Sequence, residues 1–329
     1  MATLKTVNLS IYIYSGTSGS YTDSDLKYTL QKSIISYQNN IVFEIAEIVR
    51  DYIDVTFNND YVSKTVWVTT IAGLVDDTDT VFTYGSPVTN TSLAFDGYGF
   101  YEDEINPQLT AYDLISSSTI YLPENTAGKL PVYAATTGSV VIDSATTTIT
   151  DNGNTNQKIQ YVDIPANTNT IAVKDSGGTT QKTITVVNVC EPKYIPYKVT
   201  FINRYGVFQD LYTFKKTTER FNVTDEKFKR NIINSSTVTY GVNQAQQTRY
   251  NINATSSITL NTGFIKEDMN ETIEELFLSE NLWIRYNNKT LPIIPKTKNL
   301  KFKTVLNDKL IDYTIDFEFA FDKINNVRW

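Results

Sequence analysis

Apolar and polar residues alternate from the first positions of the chain. Val7, Leu9, Ile11 and Ile13 fall on one side of an extended backbone, and Asn8, Ser10, Tyr12 and Tyr14 on the other, which predicts a half-buried strand. Residues 15–25 are rich in Gly, Ser, Thr and Asp and read as a loop before Leu26, Tyr28 and Leu30 resume the alternation. The period then changes. In NIVFEIAEIVRDYID, Ile45, Ile48, Val49 and Tyr52 recur at i, i+3, i+4 and i+7, predicting a short amphipathic helix over about 43–53. Strand patterns return at 65–71 (TVWVTTI), Val81–Tyr84 and Thr119–Leu122.

From residue 133 short alternating runs rich in Thr, Asn, Gly and Val are separated by Asp-Asn-Gly and Ser-Gly-Gly, which predicts a small β-sandwich over 133–191. EPKYIP, 191–196, carries two prolines and marks a boundary. Beyond it, Val199 and Phe201 alternate with Lys198 and Thr200, Gly206 permits a reversal, and Val207, Leu211 and Phe214 lie on the return. NRYG, 203–206, is therefore expected to be a hairpin tip, with Arg204 and Asp210 pairing across its base. Met269, Ile273, Leu276 and Phe277 form a helical stripe over 268–280, with Asp268 and Glu271 placed as a capping box. The chain closes on a second hairpin plan: KFKTVL, a turn at Asn307-Asp308, then a strand with Ile315, Phe317, Phe319 and Phe321 on one face. A face so aromatic calls for a central strand. The fold class expected is all-β, built of β-sandwich or β-barrel modules with two short helices, in three domains: 1–132, 133–191 and 192–329.

Composition narrows the chemistry. There are 22 Tyr and 16 Phe, one cysteine (Cys190) and no histidine. Without imidazole, Ser-His-Asp and Cys-His catalysis and histidine-ligated zinc are excluded, and one cysteine forms no internal disulfide. The start of the chain alternates where a secretory signal would have a basic stretch and an apolar run, and no window approaches a membrane span, so no membrane insertion is expected. The net charge of −7 divides unevenly. Residues 1–192 hold 9 Lys/Arg and 21 Asp/Glu, and residues 193–329 hold 20 and 15. That split argues against nucleic-acid binding, which needs one concentrated basic face, and suits complementary contacts between copies.

Each candidate for chemistry has an ordinary reading. Glu102, Asp103 and Glu104 are adjacent acids on a loop, whereas paired glycosidase carboxylates come from separate segments across a cleft. DDTDT, 76–80, and DNGNTN, 151–156, depart from the calcium-loop pattern, and Asp and Asn favour turns in any case. Ser176-Gly177-Gly178 lacks the continuation of a phosphate loop. The sequons at Asn222 and Asn253 are what an Asn- and Thr-rich chain contains by chance, and Cys190 has no histidine to activate it and reads as a structural residue. No catalytic, cofactor-binding or metal-binding residue is assigned, no cofactor is expected, and the chain is not expected to be an enzyme.

The segments CEPKYIPYKVTFINRYGVFQDLYTFKK (190–216), SITLNTGF (257–264), FEFAFDKINNVR (317–328) and FEIAEIVRDYID (43–54) resemble a pattern found in virion structural proteins of tailed bacteriophages, particularly phages of Bacteroidetes hosts. In layout, a strand ending at Gly263-Phe264, a helix and then paired strands is similar to the barrel-plus-helix of tail-tube and distal-tail proteins. The resemblance implies a structural component of a tail, baseplate or tail tip that forms a ring through subunit contacts. Its partners would be copies of itself and other virion proteins, and its location the virion, after assembly in the host cytoplasm. Alternatives of the same or other classes are a neck or collar protein, a receptor-binding adhesin for host surface carbohydrate, and a tail-borne glycoside hydrolase working through Glu102 or Glu104.

Overall fold

A computed structural model describes residues 4–33, 40–76, 81–82, 88–99, 112–303 and 311–324. The fold is all-β: strands dominate, and the helices are short. The chain groups into two compact units. The first comprises 1–190, 200–211 and 268–280, and the second 191–199, 212–267 and 281–329. The segment expected as a separate module at 133–191 lies in the first unit except for its last residue, and the segment from 192 onward contributes to both.

The first unit opens with β1 (Leu4–Tyr14), β2 (Leu26–Ser33), β3 (Thr65–Asp76), β4 (Val81–Phe82) and β5 (Val88–Phe95). β1 lies between β2 and β3, and β3 also pairs with β4 and β5. Register sets Ile11 opposite Thr70 and Ile13 opposite Val68. Ile11, Ile13, Val66 and Val68 form a core with Val49 and Ile53. Each such buried aliphatic side chain contributes about 1.5–3 kcal/mol.

The helix expected over 43–53 is reduced to α1 (Ala46–Arg50), and the face it buries is Ile45, Val49 and Ile53. Tyr52, placed on the stripe by spacing, is exposed. Ile45 stands at the N-cap with no side-chain hydrogen bond to the first turn, and β-branched residues at 45, 48 and 49 propagate a helix poorly. Packing on the sheet retains just over one turn.

The rest of the first unit's sheet structure is β6 (Thr119–Pro123), β7 (Gly128–Tyr133), β8 (Thr137–Ile142), β9 (Ala145–Thr148), β10 (Ile159–Ile164), β11 (Thr170–Asp175) and β12 (Thr180–Val189). They form a sheet in the order β6-β12-β11-β8-β9 and a β10-β7 pair. Gly128 in β7 sits against Leu122 of β6 and Ile164 of β10, where an added Cβ would lie 3.0 Å from Leu122. Ser176-Gly177-Gly178 makes the β11–β12 turn, with Gly178 at φ +84°. Asp-Asn-Gly at 151–153 leads instead into a short helix, α2 (Thr155–Lys158), capped by Asn154.

The chain passes between the units within β13 (Tyr197–Ile202) and β14 (Phe208–Thr213). The second unit holds β15 (Thr218–Lys229), β16 (Gln247–Asn261), β17 (Leu282–Tyr286), β18 (Lys289–Pro295), β19 (Thr314–Phe319) and β20 (Lys323–Ile324), in the order β17-β18-β19-β16-β15 with β20 also on β16. β19 is central, and Ile315 and Phe317 are buried, although Phe321 beyond its end is exposed. Residues 301–303 are not strand, and the turn expected at 307–308 lies outside the described residues, as do Tyr84 and 325–328. The helix expected over 268–280 is α3 (Asn270–Leu278), preceded by a 3-10 turn at Glu267–Met269. Met269, Ile273 and Leu276 are buried as their spacing requires.

Candidate assembly surface

β15 and β16 pair from Thr218↔Thr259 to Lys229↔Gln247, with one irregularity between Thr224 and Glu226. β16 also meets β19 at 257–261 and β20 at 253–254. Among the described residues, its part from 247 to 252 pairs with β15 alone, making a two-stranded arm. At the tip, Asn234 bridges Thr239 and accepts a hydrogen bond from the Val238 N–H at 2.8 Å.

β15, β16 and the connection between them leave apolar side chains in water. Phe221 is 59% exposed, Val238 78% and Val242 98%, and Ile233, Tyr240, Phe228 and Tyr250 are exposed as well. Val238 has φ +55°, a left-handed backbone that a β-branched residue adopts at a cost of about 1–3 kcal/mol. From 230 to 246 the sequence carries a single charge, Arg230. Among the described residues β15 ends the sheet, which leaves its outward N–H and C=O groups placed for strand addition. Six of its twelve residues are charged, of both signs, which blunts indiscriminate pairing and favours a partner strand of matching charge.

The units also differ in charge more than the linear halves do. The first holds 10 Lys/Arg and 26 Asp/Glu, net −16, and the second 19 and 10, net +9. The sharpening comes largely from 268–280, which carries five acids and no base into the first unit.

The residues considered for chemistry do not converge. Glu102, Asp103 and Glu104 lie outside the described residues, as do 77–80 of the first acidic run. Asp151 is held by the Lys158 ammonium at 2.6 Å and by the Gly153 N–H, while Lys158 lies 5.2 Å from the Trp67 ring centre. Asp151 thus serves a buried cation of the chain itself. Cys190 is exposed, Asn222 lies on β15 and Asn253 on β16. Among the described residues no group of three or more Asp, Glu or Cys is placed to hold a metal ion, and no helix is long and apolar enough to cross a membrane.

Two expected pairings are replaced. Arg204 meets Glu271 at 3.3 Å, and Asp210 instead accepts from the Thr200 hydroxyl at 2.6 Å and the Tyr61 hydroxyl at 2.5 Å. Arg204 stands at the turn and is drawn to the acidic helix, whereas Asp210 lies along β14 facing Thr200. Asp268 and Glu271 do not cap α3: Met269 stands at its N-cap, and Asp268 accepts from Ser118.

What sequence reading missed is the use made of NRYG and of α3. Asn203 is fully buried. Its amide donates to the Leu114 carbonyl at 2.7 Å and to Gln209 at 2.8 Å, and its oxygen accepts from the N–H of Tyr205 and Val207. Gly206, at φ +70°, presses on the Asp96 backbone, where an added Cβ would come within 2.9 Å. Phe208 is ringed by Phe57, Tyr61 and Tyr161. The hairpin tip is a plug in the first unit. Glu275 of α3 is 0% exposed and accepts from the Ser116 hydroxyl, and burial pushes its carboxyl up to about 7.

Fold and surface together define an all-β, two-unit chain with an exposed two-stranded arm and units of opposite charge. No family model, curated protein or solved structure matches it.

Proposed function

We propose that this chain is a structural subunit that assembles with copies of itself, and that it serves in a bacteriophage virion, at the tail, baseplate or tail tip. The observation carrying the self-assembly is the β15–β16 arm, a sheet edge bearing apolar side chains that a solitary protein has reason to cover. The opposite charges of the two units support a heterologous contact, the acidic unit of one copy against the basic unit of the next, which closes into a ring when the rotation permits. The virion assignment rests on the sequence resemblance at 43–54, 190–216, 257–264 and 317–328.

Native mass spectrometry of the full chain tests the assembly. A multimer of defined copy number is expected, reduced to monomer by the combined changes Ile233→Ser, Val238→Ser and Val242→Ser. A monomer at every concentration, or a multimer indifferent to these changes, overturns the reading. Mass spectrometry of intact virions from the source of the chain tests the location: the peptides are expected there, and their absence removes it.

A further inference from the structure

We propose that α3 is a proton-operated clasp of the first unit, seated while Glu275 is neutral and loosened when Glu275 ionises. The inference is independent of virion assembly. At both ends of 268–280 the chain continues into the second unit, so this segment stays on the first by its own contacts. Met269, Ile273 and Leu276 give it an apolar buried face, and a set of polar and acidic contacts lies beside that face. Ser116 donates to the Glu275 carboxylate, the Tyr98 hydroxyl donates to the Glu275 backbone carbonyl at 3.2 Å, and Ser118 donates to Asp268 at 3.2 Å. Arg204 meets Glu271, and Arg50 meets Glu280 at 2.6 Å.

Asp268 Oδ1, Thr272 Oγ1 and Glu275 Oε2 are all buried without a hydrogen-bond partner, and Thr272 and Glu275, three apart within α3, share one side of it. Two are carboxylate oxygens. A proton on Glu275 turns one of these acceptors into a donor, with Thr272 one turn away as a natural receiver. An ionised Glu275 would be a dry anion sharing its surroundings with Glu271 and Glu274 on its own helix. The other titratable groups facing it are Arg204 and Tyr205 from the hairpin tip and Tyr98 from the segment after β5. Asp113, next to this cluster, is tied to Lys182 at 2.6 Å, and Arg204 is shared with Glu271. The geometry therefore favours the neutral acid.

The sign follows from linkage. The carboxyl lies at about 7 when seated, against 4.5 in the open chain. Its stabilisation is complete below 4.5 and is lost as pH rises through 7. Between about pH 6 and about pH 8.5 the opening equilibrium of α3 should rise about tenfold.

Amide hydrogen exchange over 270–278 in the full chain, corrected for the intrinsic pH dependence of exchange, reads this directly. Protection is expected to fall about tenfold over that range and to become flat in Glu275→Gln, which keeps the shape and removes the titration. A flat wild-type profile, or the same fall in Glu275→Gln, overturns the proposal. Ser116→Ala supplies a second arm should the Gln variant not fold. Ser116 donates to the ionised form, so its removal should move the midpoint of the fall to higher pH, and an unmoved midpoint counts against the clasp.

Discussion

Asn203 illustrates how much one side chain contributes when every polar atom it owns is used. Its amide ties the turn to Leu114 and to Gln209, and its oxygen closes the turn onto Tyr205 and Val207. Truncation strands the Leu114 carbonyl in a dry site, and a stranded buried polar group costs about 1–3 kcal/mol. With the lost turn bonds, Asn203→Ala should cost about 2–4 kcal/mol, read as a lowered urea midpoint for the first unit. A change below about 0.5 kcal/mol, the scale of ordinary surface substitutions, would contradict the keystone role. Asp151 gives a pH prediction of the opposite sense to Glu275. Burial pushes its carboxyl up, but the Lys158 ammonium and the Gly153 N–H outweigh this and hold it below 3.8. The pair's stabilisation is therefore present above 3.8 and disappears as pH falls through the lower folded value. Asp151→Asn should remove that part of the acid sensitivity and leave Lys158, almost buried against Trp67, as an uncompensated cation. An acid-unfolding profile identical to wild type would contradict this.

At the scale of elements, what could be read from the sequence was the alternation that burial enforces. β1 and β19 alternate because one face of each meets a core, β3 and β13 keep the period of two although 65–69 and 199–202 are buried on both faces, and Met269, Ile273 and Leu276 repeat helically because one side of α3 is buried. The α1 stripe was misjudged because spacing alone does not say whether Tyr52 or Ile53 turns inward. The parallel β6–β12 pair joins Thr119–Pro123 to Thr185–Val189, a long-range contact that no local pattern announces. Glu275 escaped notice because it looks like one more acid on a polar face, and only its neighbours Ser116, Tyr98 and Arg204 make it a buried one. The arm received no assignment, although Phe221 and Val223, and Tyr250, Ile252 and Ala254, alternate. In a two-stranded ribbon alternation is not tied to a core, and residues 230–246 have no period at all. The strain at Val238 belongs here too. Val238→Gly should relax the tip and lower amide protection across Asn234–Thr239 by less than threefold, since Gly adopts φ +55° at no steric cost. A collapse of protection along all of β15 would mean that the valine itself holds the arm in shape.

Across the whole molecule, the two units carry −16 and +9, and contacts between units of opposite charge on different copies weaken as salt screens them. Raising ionic strength from ~0.05 M to ~0.5 M, which shortens the screening length from roughly 14 to 4 Å, should lower the multimer population. The apolar arm should keep assembly from vanishing. Sedimentation across that salt range separates the two contributions, and a multimer strengthened by salt at every concentration would assign the contact to apolar burial alone. Self-assembly through the arm requires that the outer edge of β15 be covered by another copy. It is tested most directly by amide exchange over Thr218–Lys229 in the full chain, measured at high concentration and again after dilution to monomer. Exchange along β15 is expected to be at least about tenfold slower in the concentrated sample, with the buried strand β19 unchanged. Exchange along β15 that stays the same at both concentrations would contradict it.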